Sequence, residues 1–201
     1  AQMVRRHGYR PLLFGYTDTS IDPRTVPAED PRLLTYEGVA PGFTPACLLL
    51  ESAEPWLDPL AARGYGRLTD DEVYAGALGD PAPFAAEDSE TAFLTDRVLN
   101  FLQAPRPADP WLVYRSYIKP HPPGVAAAPY NAMYDRGDLP NPRRAPTIEA
   151  EAAHHPYLQA LLEKPFGGWL GRHVPHPAAL SDALAAEIRA IYLGLVSELD
   201  R

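Results

Sequence analysis

The sequence of 201 residues contains a single cysteine, Cys47. One cysteine cannot form an intrachain disulfide, so the chain is not a disulfide-stapled scaffold, and low cysteine use is typical of a reducing compartment. No apolar run approaches the roughly 20 residues that a membrane-spanning helix needs, and no basic leader with an apolar segment opens the chain. These absences predict a soluble, cytoplasmic protein that has no contact with membranes.

Positive charge is also scarce. Lysine and arginine number 18 against 26 aspartate and glutamate residues, which gives a formal net charge of -8 at pH 7. A nucleic-acid or anionic membrane surface would need a basic stripe, so both partners are excluded by this balance. A small anionic substrate is not excluded, because a local cationic pocket can exist in an acidic protein.

Proline, in contrast, is abundant. The 24 prolines are roughly double the ordinary share of about 5%, and they cluster in 20–60, 80–83, 105–110 and 120–146. This clustering predicts long, ordered loops between few regular elements, and such loops are usually functional. Cys47 heads an apolar run in one of these regions, so we interpret it as a small buried hydrophobe and not as a nucleophile.

The regular elements predict an α/β fold. Apolar runs over 11–16 and 110–117 are typical of buried strands. Helices are predicted from the cap Ser89 to about Gln103, from Pro156, and from the cap Ser181 towards the end of the chain. The predicted apolar stripes of the first and last of these comprise Leu94, Val98, Phe101 and Leu102, and Leu184, Ile188, Ile191, Tyr192, Leu195 and Leu199. Residues 21–67 and 124–178 are predicted to be mostly loop.

Two strands cannot close an α/β core, so we expect this chain to be part of a larger sheet or to complete one by forming a homo-oligomer. The chain opens inside a helical segment that runs to Gly8 without an N-cap, and it closes inside an amphipathic pattern without a stop signal. Both features lead us to expect that further sequence lies beyond each end.

His121 follows the second predicted strand in the segment Lys119-Pro120-His121-Pro122-Pro123. The flanking prolines restrict the backbone on both sides, so the direction of the imidazole is largely fixed by the chain. At the carboxyl tip of a strand, beside Lys119, the ring could donate a hydrogen bond to an anionic oxygen or protonate a leaving group. The alternative is a turn histidine whose ring bonds a backbone carbonyl, and the spacing alone favours that alternative.

A polar cluster, Tyr16-Thr17-Asp18-Thr19, follows the first predicted strand. In open α/β sheets, ligands bind at the carboxyl ends of strands. The hydroxyl groups could bind oxyanions, and Asp18 could orient a histidine or lysine. By itself, the pattern is better explained by an ordinary turn or helix-cap cluster.

Taken together, several segments resemble the middle of a sulfatase, closest to the phosphonate monoester hydrolase and arylsulfatase branch of the alkaline phosphatase superfamily. The segments are Gly15-Tyr16-Thr17-Asp18-Thr19-Ser20-Ile21-Asp22-Pro23-Arg24, Pro120-His121-Pro122-Pro123, Ala128-Pro129-Tyr130-Asn131-Ala132-Met133-Tyr134 and Tyr192-Leu193-Gly194-Leu195-Val196-Ser197-Glu198-Leu199-Asp200. The resemblance implies a partial alkaline-phosphatase-like α/β/α sandwich with long proline-rich loops. It implies that residues 1–201 form the central part of one catalytic domain.

The resemblance also implies a two-sided active site. One side holds a divalent metal (Ca, Mn or Mg) and a formylglycine nucleophile, encoded as Cys-x-Pro-Ser-Arg, and this chain carries neither that motif nor an Asp-His-Gly metal segment. It carries no metal ligands of the family, and Cys47 lacks the motif for conversion. The other side binds the oxygens of a small anionic ester, and there His121 matches the family's substrate-side histidine of the Pro-His-Pro motif and is predicted to be catalytic.

Three further residues are predicted to bind substrate: Tyr16, Asp18 and, from its place beside His121, Lys119. Tyr16 matches the tyrosine of the phosphonate branch, where ordinary sulfatases carry lysine. Asp18 stands where threonine or histidine is expected, which leaves sulfate and phosphonate esters both open as substrates. Two alternatives remain: a non-catalytic binding module derived from such an enzyme, and a phosphodiesterase of the same superfamily with a threonine or serine nucleophile.

Overall fold

The computed structural model describes residues 1–105, 109–164 and 175–201, and within these ranges the chain forms a parallel sheet and several helices. The strands are β1 (Arg10–Gly15), β2 (Thr44–Leu48) and β3 (Trp111–Arg115), in the order β2-β1-β3. The helices are α1 (Gln2–Arg6), α2 (Glu54–Leu60), α3 (Asp70–Val73), α4 (Glu90–Gln103), α5 (Ile148–Ala152), α6 (Pro156–Glu163) and α7 (Asp182–Asp200). Short 3-10 turns cover Pro23–Thr25, Pro31–Leu34, Ala86–Asp88, Tyr130–Ala132, Arg136–Asp138 and Pro177–Ala179.

Strand β1 is the centre of the sheet. Its residues Leu12, Leu13 and Phe14 are buried, as expected for a continuous apolar run that has parallel neighbours on both edges. β1 pairs with β3 from Arg10↔Trp111 onward and with β2 from Leu12↔Thr44 onward. Because all pairs are parallel, the three carboxyl ends emerge at the same edge of the sheet.

The chain divides into two compact units. The first unit comprises Ala1–Asp71 and Glu87–Ile118, and it contains the whole sheet. The second unit comprises Glu72–Ala86 and Lys119–Arg201, and it contains α5 to α7.

In the first unit, α4 begins where the sequence predicts. The Ser89 hydroxyl accepts a hydrogen bond from the Ala92 amide (3.2 Å), which is the expected N-cap contact. Leu94 and Val98 are buried, and the Phe101 ring contacts Phe14 at 5.9 Å between ring centroids. Leu102, the last residue of the predicted apolar stripe, is exposed.

In the second unit, the core forms between α7 and the loop that follows Lys119. Ile191 and Leu195 of α7 pack with Ala126 and Tyr130. Gly194 allows this approach, because a Cβ atom there would lie 2.0 Å from the Tyr130 carbonyl oxygen. Ser181 caps α7 as predicted, whereas Tyr192 is half exposed and does not belong to the buried stripe.

The largely loop regions contain more regular structure than the sequence predicts. Strand β2 and helix α2 lie within 21–67, and α5 lies within 124–178. The helix at Pro156 is confirmed, with its first turn capped by His155. None of the helices in the described ranges has both the length and the apolar character that crossing a membrane requires.

Candidate functional site

The polar segment after β1 is held by a loop of the first unit. The Thr17 hydroxyl donates to the Gly38 carbonyl (3.0 Å) and accepts from the Ala40 amide (2.8 Å). The Thr19 amide also donates to the Gly38 carbonyl (3.1 Å). Both threonines therefore fasten the backbone on either side of Asp18, so the predicted polar edge is a fixed structure.

Tyr16 lies immediately beyond β1, and its side chain is partly buried. Its hydroxyl donates to the Tyr117 carbonyl at 3.2 Å, longer than the about 2.5–3.0 Å usual for a hydroxyl donor. Burial raises the pKa of Tyr16, the negative charges of Asp18 and Glu90 raise it further, and a hydrogen bond with Ser116 opposes them. The phenol therefore stays protonated, as a hydrogen-bond donor, at neutral and moderately alkaline pH.

Asp18 adopts a left-handed backbone conformation, with φ of 41°. Residues other than glycine seldom adopt positive φ, although aspartate tolerates it better than most. Such backbone strain persists only where the surroundings impose it, and it is concentrated at functional sites. Asp18 also contributes its negative charge to the surroundings of Tyr16.

His121 is exposed, and its ring Nδ1 lies 2.7 Å from the Pro122 carbonyl oxygen. A carbonyl accepts only, so Nδ1 must carry the proton of this hydrogen bond. This is the contact that the turn-histidine alternative predicts, and it is made by Nδ1. With Nδ1 protonated, Nε2 is an acceptor in the neutral imidazole and a donor only in the imidazolium ion.

Lys119 forms a buried ion pair in the second unit. Its Nζ lies 2.8 Å and 2.9 Å from the two carboxylate oxygens of Glu198 on α7. The side chains are 9% and 4% exposed, respectively. The positive charge that the sequence suggests for substrate binding is therefore already neutralised by a carboxylate.

The predicted site residues fall into two groups. Tyr16 and Asp18 lie together in the first unit, and Lys119 and His121 lie two residues apart in the second unit. Sequence reasoning missed Glu198, although a signal for it exists: Ile191, Leu195 and Glu198 recur at helical spacing on the buried face of α7. A charged residue on an apolar stripe indicates a buried partner.

The described residues bring together no group of three or more His, Cys, Asp or Glu side chains that could hold a metal ion. Within the described ranges, the side chains therefore do not fit a metal centre. Cys47 is half buried in β2 instead of fully buried as expected, and burial raises the pKa of its thiol. A raised pKa disfavours the thiolate, which agrees with its interpretation as a non-nucleophile.

Comparisons with known proteins give a consistent result. No protein-family model matches the chain. The multifunctional alkaline phosphatase superfamily protein PehA of Trinickia caryophylli is 33% identical over 207 residues, covering 98% of this chain and 40% of PehA. The crystal structure of a phosphonate monoester hydrolase from Agrobacterium radiobacter matches with a TM-score of 0.83 at 36% identity. The phosphonate monoester hydrolase SpPMH from Silicibacter pomeroyi matches with a TM-score of 0.82 at 40% identity.

Each structural match covers 98% of this chain and 40% of the solved chain, so this chain spans about two fifths of the length of its relatives. The matches confirm the resemblance to the phosphonate monoester hydrolase branch of the alkaline phosphatase superfamily. They also confirm the α/β fold class, as a part of the larger fold of those proteins.

Proposed function

We propose that this chain is the central part of a hydrolase of sulfate esters or of phosphonate or phosphate monoesters or diesters, and that it supplies the donors that hold the substrate's oxygens. The observation that carries the proposal is the identity of 36% and 40% to two phosphonate monoester hydrolases across 98% of the chain. The coverage of only 40% of each relative supports a longer protein around these residues, called the intact enzyme below.

The topology of the sheet supports the choice of Tyr16 as a donor, and His121 is chosen on the resemblance. Tyr16 directly follows β1. β1 and β3 are parallel neighbours, so their chains leave the sheet at the same edge. In open α/β sheets, ligands bind at the edge where the carboxyl ends emerge.

In the proposed reaction, attack on phosphorus or sulfur builds negative charge on the non-bridging oxygens. His121 stabilises this charge by donating from Nε2, which requires the imidazolium form, since Nδ1–H is held by the Pro122 carbonyl. The phenol of Tyr16 is a second donor, and the long hydrogen bond to the Tyr117 carbonyl costs little to exchange for a substrate oxygen. Donors placed in advance in this way stabilise a transition state without reorganisation.

The remaining parts of the site follow from the resemblance. A divalent metal and a formylglycine nucleophile are implied for the intact enzyme, and no described residue of this chain is assigned to either. Asp18 is proposed to act beside Tyr16 at the substrate, where its negative charge favours the protonated phenol. In this proposal, donors from this chain hold the small anionic ester, and a nucleophile from the rest of the intact enzyme attacks it.

The raised pKa of Tyr16 gives a testable pH dependence. In the folded protein the pKa lies above its ordinary value of 10.0, so folding favours the protonated phenol. This contribution to stability is fully present below pH 10.0 and is lost as the pH rises through the raised value. We expect the absorbance difference between the wild type and Tyr16→Phe to show a tyrosinate titration displaced to higher pH than that of a tyrosine model peptide. A difference that titrates together with the peptide would contradict the assignment.

Activity assays test the function itself. We expect the intact enzyme, loaded with a divalent metal, to hydrolyse an aryl phosphonate monoester or an aryl sulfate, and the isolated chain of residues 1–201 to hydrolyse neither. Comparing kcat/KM for the two substrates decides between phosphonate and sulfate chemistry. If the intact enzyme turned over neither substrate but bound them, the non-catalytic binding module would be the correct alternative. Metal-dependent turnover by the pure isolated chain would contradict the assignment of nucleophile and metal to the rest of the protein.

A further inference from the structure

The most unusual polar contact of the second unit is the ion pair between Lys119 and Glu198, which are 79 residues apart. Both carboxylate oxygens lie within 2.9 Å of the Nζ atom, and both side chains are nearly fully buried. The ring of Phe84, itself 5% exposed, has its centroid 5.9 Å from the same Nζ. The ammonium is therefore enclosed by a carboxylate and an aromatic ring.

A buried ion pair is not explained by stability alone. Removing two charges from water costs about as much as their attraction returns, and apolar residues of similar size often stabilise a protein equally well. Leucine at position 198 would continue the apolar stripe of α7 through Ile191 and Leu195. The sequence instead places a carboxylate there, which fixes one specific partner and one register between α7 and the chain at Lys119.

The C-terminal half of α7 also contacts the loop of residues 130–134 at three further points. Gly194 lies against the Tyr130 carbonyl, the Ser197 and Tyr134 hydroxyl groups are 2.8 Å apart, and Arg201 donates to the Tyr130 hydroxyl at 3.2 Å. These contacts fix residues 130–134. The pair with Glu198 instead fixes Lys119, which is two residues from His121.

We propose that Lys119 and Glu198 are positioning residues, which hold the segment of His121 in register with α7. This inference rests on the proposed function, because it gives the pair its purpose: to keep the His121 imidazole where the substrate oxygens bind. Lys119 then acts through His121, and its charge does not contact the substrate. Glu198 supports the site through its ion pair with Lys119. The sequence around Glu198 does not by itself indicate this role.

The geometry separates this role from direct substrate binding. If Lys119 contacted the substrate anion, its loss would weaken binding, and removing Glu198 would leave the ammonium more available. If the pair positions His121, removing either partner leaves an uncompensated buried charge that disturbs the segment. Removing both charges together with similar volumes leaves an apolar contact that still fills the space.

The experiment compares Lys119→Met, Glu198→Gln and the double variant Lys119→Met/Glu198→Met in the intact enzyme. Each single variant is expected to lower kcat by about 10²-fold, the scale of an ångström misplacement of a catalytic group, with KM nearly unchanged. The double variant is expected to recover most of the lost kcat. Arg136→Met is the matched control, because it removes an exposed ion pair to Glu187 on the same helix and should leave kcat unaltered.

The outcomes are separable. A double variant as slow as Lys119→Met, with a raised KM, would overturn the inference in favour of direct binding. Single variants with a lowered melting temperature but wild-type kcat would show that the pair has a purely structural role. This result would also overturn the inference. If the wild type has no hydrolase activity, the proposed function fails first. Hydrogen exchange of the amides of 119–134 then decides: faster exchange in the single variants and restoration in the double variant supports positioning, and unchanged exchange refutes it.

Discussion

His121→Ala lowers kcat of the intact enzyme by about 10²–10³-fold, the usual effect of removing one preorganised donor to a developing oxyanion. The ring is exposed, and its contact with the neighbouring Pro122 carbonyl is local to the loop, so its removal takes little packing from the core. We therefore expect the melting temperature to stay within the error of the wild type. The measurement is steady-state kinetics with the better of the aryl phosphonate and aryl sulfate substrates, together with a thermal unfolding curve.

His154→Ala is the matched control for this experiment. His154 is an exposed histidine two residues before Pro156. No role in the site is assigned to it. Turnover by His121→Ala close to that of the control would reduce His121 to the turn histidine that its Pro122 contact also fits.

A double variant adds information on Tyr16. If Tyr16 and His121 donate to the same developing charge, the loss in Tyr16→Phe/His121→Ala should be smaller than the product of the single losses, because coupled groups are not additive. Strictly multiplicative losses would indicate that the two residues act independently.

Gly15→Ala is expected to destabilise the protein strongly. Gly15 ends β1 with φ of 102°, in the region that favours glycine. A Cβ atom there would lie 2.0 Å from the Ser116 carbonyl oxygen and 3.0 Å from its carbonyl carbon. Neither atom can move without breaking the pairing of β1 with β3, since the Ser116 amide donates to the Phe14 carbonyl at 2.9 Å. We expect a loss above about 4 kcal/mol in the free energy of unfolding, in the range that only a few mechanisms produce.

Gly64→Ala separates the collision from the backbone strain. Gly64 has nearly the same φ, 99°, but an added Cβ would meet nothing within 4 Å. Its cost should be limited to the left-handed conformation, about 1–2 kcal/mol. Denaturant unfolding of both variants gives the comparison, and failure of Gly15→Ala alone to fold agrees with the prediction. Equal losses in the two variants would show that the Ser116 carbonyl yields easily and that the close approach is unimportant.

Local sequence signals determined the elements that depend on few residues. The caps at Ser89 and Ser181, the proline at the start of α6 and the apolar run of β1 all act within one or two turns or one strand. Such signals are sufficient to predict these helices and the central strand. They failed at β2, where Thr44, Pro45 and Ala46 are exposed and only the last two residues, Cys47 and Leu48, belong to an apolar run. β2 forms because its backbone pairs with β1. The residues of β2 themselves give no sign of that pairing.

The candidate site divides in the same way. The proline-bracketed His121 and the polar cluster at Tyr16 could be found from the sequence because their residues are contiguous, and the resemblance to phosphonate monoester hydrolases rests on the same contiguous segments. The meaning of Lys119 could not be found in this way. Beside His121 its charge suggests an anion-binding group, whereas the fold gives that charge a buried carboxylate from the far end of α7.

The sequence by itself therefore settled the α/β class, the acidic character and the residues whose neighbours along the chain define their chemistry. Only the tertiary structure decided which strand lies beside β1, that Tyr16 is desolvated enough for its pKa to rise, and that Lys119 is paired. The physical reason is that burial and charge pairing depend on groups brought together from distant parts of the chain. Patterns of period two or 3.6 carry no record of those partners.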